Sequence, residues 1–232
     1  IEQQIPMVII RRKDKMPNKT AIHTVYKLQA GSRVPSVTTI LGILNKPALL
    51  NWAWEMGKQG LDYRAVRDEA GDIGSLAHLM IMAHLKGEKL DTSEYSAQAI
   101  DKAENAFLKY LDWEKALTVI PILVETPLVS EQYKFGGTID LFARVNGSPI
   151  LLDFKTSKAI YSEHFYQVAG YEQLLSENGY KVEKVKILRI GRDETEGFEE
   201  HTLEKLEVYR EVFLACFRIY TLQKQIRKGE VT

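Results

Sequence analysis

The sequence predicts a mixed α/β fold, a central sheet flanked by helices. Three observations predict it. Short β-type runs cluster at 119–129, 133–145 and 150–155. An Asn146-Gly147 dipeptide joins the last two, and Asn-Gly between β-type runs is the strongest short hairpin signal. Amphipathic helical stretches precede these runs, follow them, and separate them from two further strands.

In order, Met7–Arg12 and Ala21–Leu28 read as an N-terminal hairpin, and Pro35–Leu41 as a turn and cap leading into a short helix. Ala48–Gln59 reads as a helix with Pro47 at its first turn. Trp52 and Trp54 lie in it, two residues apart and so on different faces. Either could stack on a nucleobase, and for each the competing reading is packing. Gly71–Leu85 is the next expected helix, with Gly74 and His78 on one face. A glycine there costs ~1 kcal/mol relative to alanine, which points to a close approach to another backbone. Ser93–Lys115 carries Ile100, Ala103, Phe107 and Tyr110 at helical spacing. Val119–Val129 reads as a strand interrupted at Pro121, with Glu125 embedded in it. Glu163–Asn178 is an expected helix, capped by Ser162 and ended at Gly179, with Gln167 and Tyr171 on one face. Lys184–Ile190 and Phe198–Thr202 read as strands and Leu203–Arg227 as a final helix.

A chain of 232 residues, 45% hydrophobic and 27% charged, is large enough for one substantial core with room for an insertion. One domain is expected: an N-terminal hairpin over 1–35, a helical region over 36–117, core sheet and helix over 118–203, and a C-terminal helix over 204–232. The formal net charge of zero gives no global attraction for nucleic acid, although a local basic groove is compatible with it. The first 35 residues are locally basic, with Arg11, Arg12, Lys13, Lys15, Lys19, Lys27 and Arg33 against Glu2 and Asp14. The single cysteine, Cys216, excludes an intrachain disulfide, a CxxC zinc site and a four-cysteine iron–sulfur cluster. No apolar run approaches membrane-spanning length and no signal peptide is read, so an intracellular, membrane-free protein is expected.

The chemistry concentrates between Gly137 and Lys155. If Asn146 and Gly147 form a two-residue loop, Val145 pairs with Ser148, and Asp140 then lies opposite Asp153 on one face. Their Cα atoms would be roughly 5 Å apart. Lys155 shares that face, and Pro149, which lacks an N–H, could shift the register with a bulge. Two carboxylates so close stay ionised together only with a cation between them, and oxygen donors suit Mg²⁺ or Mn²⁺. A lysine beside such an ion can orient or deprotonate water, or neutralise a developing oxyanion. The alternative is a solvated Asp–Lys pair. Leu141, Phe142, Leu151, Leu152 and Phe154 make both faces apolar and favour the metal site.

Taken together, Gly74-x-x-x-His78, Gly137-x-x-Asp140, Asp153-Phe154-Lys155-Thr156 and Gln167-x-x-x-Tyr171 resemble the PD-(D/E)XK nuclease superfamily, and within it the RecB-like branch. Pro35-Ser36-Val37-Thr38, Trp52 and Glu125 make the chain most similar to the group containing the mitochondrial genome maintenance exonuclease and its bacterial and phage relatives. The resemblance implies a restriction-endonuclease-like core with the N-terminal hairpin and helical region as additions. It implies metal ligation by His78, Asp140, Asp153 and the main-chain carbonyl of Phe154, with Lys155 activating water and stabilising the pentavalent phosphate. Gln167 and Tyr171 would hold phosphate or orient Lys155, and Glu125 would bind a second metal or a metal-bound water. Trp52, Trp54, Arg64 and Arg67 would be strand contacts in an arch over the site. One or two Mg²⁺ or Mn²⁺ ions are implied, and no iron–sulfur cluster. The implied activity is a DNA exonuclease on single-stranded ends or flaps in replication, recombination or repair, alongside proteins of those processes. Its place would be cytoplasm, nucleoid, infected host cell or organelle. The alternatives are a structure-specific or nicking endonuclease on the same core, and a non-catalytic DNA-binding module.

Overall fold

The computed structural model describes residues 24–193 and 195–229. Four helices lead into the sheet: α1 (Val37–Leu41), α2 (Pro47–Lys58), α3 (Tyr63–Lys86) and α4 (Ala97–Glu114). Strands β1 (Val119–Ser130), β2 (Phe135–Val145) and β3 (Ser148–Lys155) follow, then α5 (Ser162–Glu177), β4 (Lys184–Ile190), β5 (Phe198–Leu203) and α6 (Glu207–Lys228). The five strands lie in the order β1-β2-β3-β4-β5. Only β3 and β4 are parallel, with α5 as the crossover that parallel neighbours require. Helices α1, α5 and α6 cover one face, and α3 and α4 the other, so the expected mixed sheet flanked by helices is the observed one. No helix among the described residues is long and apolar enough to cross a membrane.

Several element ends differ from expectation, each for a local reason. Helix α3 begins eight residues early, because Asp62 caps it by accepting the Arg64 N–H at 2.9 Å. Its first two turns carry Arg64, Arg67, Asp68 and Glu69 and no apolar stripe, so periodicity did not find them. Helix α4 starts at Ala97, where the Ser96 side chain accepts the Ala99 N–H. Ser162 is the first residue of α5 rather than its cap: His164 Nδ1 accepts the Tyr161 N–H at 3.2 Å. Leu203 ends β5, and α6 begins only at Glu207.

The N-terminal hairpin expected from Met7 to Leu28 falls largely outside the described residues. Within them, residues 26–34 form a tight turn of their own. Lys27 is bridged to Arg33, Gly31 has φ 85°, and Val34 N–H donates to Tyr26 O at 3.1 Å. The Tyr26 ring lies so close over Gly136 that any Cβ there would overlap it.

Strand β2 switches faces at Asp140. Phe135 and Ile139 join the core under α5 and α6, whereas Leu141, Ala143 and Val145 join the core under α3 and α4. All five are odd-numbered, and strict alternation would keep them on one face. Strand β1 does the same, since Leu123 and Leu128 share one core and Val124 packs on the other. Between them lies Glu125, whose φ of 47° is rare for a non-glycine residue in a strand. The coordinated kink thus centres on Glu125 and Asp140, which occupy matching positions between the pairs Val124↔Leu141 and Thr126↔Ile139.

Candidate active site

The β2–β3 hairpin has the expected register, with Val145 opposite Ser148 and Leu141 opposite Leu152. Asn146 (φ 49°) and Gly147 (φ 89°) supply the two positive dihedrals of its turn. Pro149 pairs in register with Arg144 and makes no bulge; the shift lies in β1, between Pro121 and Leu123. The β2–β3 ladder stops at Leu141 and Leu152, one step short of the two aspartates. Beyond it β3 follows β4, with Asp153, Phe154 and Lys155 paired to Ile187, Leu188 and Arg189. The strands therefore fork where the carboxylates sit. Asp140 bridges the fork through its side chain, with Oδ2 accepting the Phe154 N–H at 3.0 Å.

Asp153 is 1% exposed, and neither of its side-chain oxygens has a hydrogen-bond partner among the described residues. Lys155 Nζ stands 2.5 Å from Oδ2 and forms an ion pair with it. Burial pushes the Asp153 carboxyl up to about 6; Lys155 opposes the rise and Asp140 adds to it. Among the described residues Oδ1 is left without any partner and Oδ2 meets only Lys155, so this buried carboxylate has room for a further cation.

His78 reaches the same place from α3. Its Nε2 lies 2.8 Å from the Phe154 carbonyl, so that nitrogen carries the proton. Nδ1 lies 3.9 Å from Asp140 Oδ2. Gly74, one turn earlier, lets α3 approach: a Cβ there would meet Thr156 Oγ1 at 2.5 Å. The backbone approach expected of that glycine is not found; its neighbour is the Thr156 side chain, just past the end of β3. Gly137 serves α5 similarly, since a Cβ would lie 2.7 Å from Tyr171 Cε1. Tyr171 is buried under the hairpin and accepts a hydrogen bond from Gln167 Nε2 at 2.8 Å. Burial, with Asp153 and Asp140 nearby, holds its hydroxyl proton on far beyond the usual range. Gly137 is therefore a packing requirement that brings Tyr171 to the forked strands, whereas at Gly74 the close neighbour is only the rotatable Thr156 hydroxyl.

Other expected residues stand apart. Glu125 faces solvent at the site's edge, its carboxylate 2.9 Å from Lys86 Nζ. Trp52 is half-buried edge-on to Tyr63, with ring centroids 6.4 Å apart, and Trp54 is 70% exposed. Arg64 is exposed beside Tyr63, 5.7 Å from its ring, and Arg67 pairs with Asp68. Two residues near the site escaped sequence reasoning. His164 is buried with its pKa lowered to about 4, by burial and then by nearby Lys155. Lys86 carries no local signal, because its partner is 39 residues away.

Among the described residues no three His, Cys, Asp or Glu side chains converge tightly enough, as placed, to hold a metal ion. Around the fork, Asp140 accepts from the Phe154 N–H, His78 bonds the Phe154 carbonyl, and Asp153 precedes Phe154 on β3. Two carboxylates and a carbonyl are oxygen donors suited to a hard divalent cation, and the unpartnered Asp153 Oδ1 fits one.

No family model and no curated protein sequence matches the chain. Solved structures overlap it in part. A candidate exonuclease from Eubacterium rectale matches with a TM-score of 0.48 at 12% identity, over 69% of this chain and 69% of that one. The protein SSO0001 matches with a TM-score of 0.35 at 17% identity, over 65% and 85%. LHK-Exo, solved in complex with dAMP, matches with a TM-score of 0.32 at 12% identity, over 71% and 92%. These overlaps are partial, so the chemistry of the site rests on the chain's own residues.

Proposed function

We propose that the chain is a metal-dependent nuclease of the RecB-like PD-(D/E)XK type, acting as an exonuclease on single-stranded DNA ends or flaps in replication, recombination or repair. The observation that carries this reading is Asp153: a buried carboxylate whose Oδ1 has no partner and whose Oδ2 meets only Lys155 among the described residues, with Asp140 beside it at a fork in the sheet. Asp153, Asp140 and the Phe154 carbonyl would hold Mg²⁺ or Mn²⁺, with His78 contributing through Nδ1. The ion would supply Lewis-acid polarisation of the phosphate and a more acidic water.

The chain's own residues do the rest. Lys155 Nζ is fixed beside Asp153, where it can hold or accept a water proton and neutralise charge building on a phosphate oxygen. Asp140 locks the Phe154 peptide at the fork and so sets the height of the carbonyl. Tyr171, with its proton retained, backs the hairpin, while Gln167 orients that hydroxyl. Glu125, exposed and paired with Lys86, suits a role at the rim, on an outer water or a second ion.

The test is cleavage of end-labelled linear single strands, duplexes and single-stranded circles with Mn²⁺, Mg²⁺ or EDTA. Linear single strands should be shortened with either metal, circles left intact, and nothing cut in EDTA. Cut circles would replace the exonuclease with an endonuclease on the same core. Metal-independent DNA binding without cleavage of any substrate would leave a binding module.

A further inference from the structure

Beside the forked strands lies a cleft of about 510 Å³, within the ~300–1,000 Å³ common for small-ligand sites. Its polar lining includes Arg33, Ser36, Thr38, Thr39, Thr138 and Glu125. Two of these tie it to the candidate active site: Thr138 is two residues before Asp140 on β2, and Glu125 occupies the matching position on β1.

The cleft is built, not incidental. Gly136 admits the Tyr26 ring, and Tyr26 OH meets Thr138 Oγ1 at 2.8 Å. Tyr26 O accepts the Val34 N–H at 3.1 Å, which sets the turn carrying Arg33. Pro35 O accepts the Gly136 N–H at 2.9 Å, which fixes the opposite wall. Arg33 is exposed and forms no ion pair among the described residues. The one carboxylate in the lining among the described residues, Glu125, is paired with Lys86.

The lining selects a class of ligand. A guanidinium unpaired among the described residues suits phosphate oxygens by bidentate hydrogen bonding, and the hydroxyls around it, which bond to one another and to Tyr26, make the wall polar. The only aromatic ring in the wall among the described residues, Tyr26, is buried with its hydroxyl engaged, so these residues offer no open face to a base. Such a site reads backbone and not sequence.

We infer that this cleft holds the sugar–phosphate of the nucleotide at the strand end, next to the scissile bond, with Arg33 as its cation. The inference rests on the nuclease reading of the neighbouring site. It adds a place for the end itself, and assigns Arg33 a purpose that net charge could not reveal.

Two measurements test it. The first is titration of dTMP into the protein in EDTA, which removes any metal contribution. The wild type should bind, inorganic phosphate should compete, thymidine should not bind, and Arg33→Ala should weaken affinity about tenfold, with Arg33→Lys between. No binding by the wild type, or equal binding by Arg33→Ala, overturns the cleft. The second is steady-state cleavage of a linear single strand with Mn²⁺. Arg33→Ala should raise KM about tenfold with little change in kcat. Lys27→Ala, which removes one charge from the same turn outside the cleft, should leave KM unchanged. An unchanged KM in Arg33→Ala, or an equal rise in Lys27→Ala, overturns the cleft and leaves the nuclease reading standing. A wild type that cuts nothing overturns the nuclease reading, and the dTMP titration still decides the cleft.

Discussion

Asp153 is 1% exposed and Trp54 is 70% exposed, and the two residues mark the extremes between the β2–β3 hairpin and helix α2. In the hairpin, charge is set into apolar surroundings: Leu141, Leu151, Leu152 and Phe154 are all buried around it. In α2 the reverse holds, with Leu49, Leu50 and Trp54 turned outward. The hairpin is held on both faces by helices. Helix α2 touches α3, and Lys46 at its start pairs with Glu163 of α5 at 3.1 Å. Reaction chemistry needs a site whose electrostatics are fixed in advance, and burial supplies that. An access region needs adaptable exposed surface, and low packing supplies that. The comparison separates what should abolish reaction from what should only alter substrate capture.

The largest effect belongs to the hairpin. Lys155→Ala should lower single-turnover cleavage in Mg²⁺ or Mn²⁺ by about 10³-fold. Full activity in a variant that retains its circular dichroism spectrum would remove Lys155 from the chemistry. His78→Ala should act more mildly. Its defect should shrink as Mn²⁺ is raised, because it weakens one contact to the ion and leaves the two carboxylates.

Asp153 gives the next largest effect, visible without substrate. Its folded pKa of about 6 lies above the ~3.9 of an unfolded aspartate, so the fold favours the protonated form. That stabilisation is complete below about pH 4 and is lost as pH rises through about 6. His164 runs the other way. Its folded pKa of about 4 lies below the unfolded ~6.5, so its contribution is present at neutral pH and lost as pH falls through about 4. The two slopes nearly cancel in the wild type, so variants must be compared. In EDTA, urea unfolding should show Asp153→Asn gaining on wild type by up to about 3 kcal/mol between pH 4 and pH 7. A difference independent of pH would mean that Asp153 is not buried ionised. Added Mn²⁺ should shrink the gain, since the cation stabilises the wild-type carboxylate.

The two motif glycines extend the contrast to packing. Gly137→Ala forces a Cβ to within 2.7 Å of the Tyr171 ring, wedged between strand and helix, and should cost about 1–3 kcal/mol in thermal or urea unfolding. Gly74→Ala meets only Thr156 Oγ1, the end of a side chain that can rotate. It also gains ~1 kcal/mol of helix propensity, so its stability should change little. Equal losses for both would show that α3 is packed as tightly as α5.

Legibility in the sequence divides along the same line. The hairpin register was readable because Asn146-Gly147 fixes the loop length and hence every pair up to Leu141 and Leu152. The fork beyond that pair was not readable. It depends on β3 preferring β4, a partner some 30 residues away, and on kinks at Glu125 and Asp140 that break alternation without any glycine or proline at the spot. The core helices α4, α5 and α6 announced themselves by apolar period, but the first turns of α3 did not, being solvent-exposed and dependent on one cap at Asp62. His78, Asp140, Asp153 and Lys155 were identified as a group before their geometry was known. The Arg33 cleft was hidden, because its walls come from a turn, a helix cap and two strands that have no shared pattern in the chain.

The smallest expected effect separates Trp52 from Trp54. Their two-residue spacing put them on different faces, and the structure gives each a distinct environment. Trp52 is half-buried against Tyr63, at the junction of α2 with α3, so Trp52→Ala should lose about 1–2 kcal/mol of stability through lost packing. Trp54 packs on little, so Trp54→Ala should change stability by less than about 0.5 kcal/mol. If α2 lies along the path of a single strand, Trp54→Ala should still weaken binding of a linear oligonucleotide, since base–aromatic stacking is worth ~1–3 kcal/mol. Fluorescence anisotropy in EDTA measures that loss apart from cleavage. Arg64→Ala, which removes an exposed charge one helix further on, should show its effect mainly as a shallower salt dependence of the same binding. Unchanged affinity in Trp54→Ala would mean that α2 does not meet the strand there, and the access path would have to run past Arg33 instead.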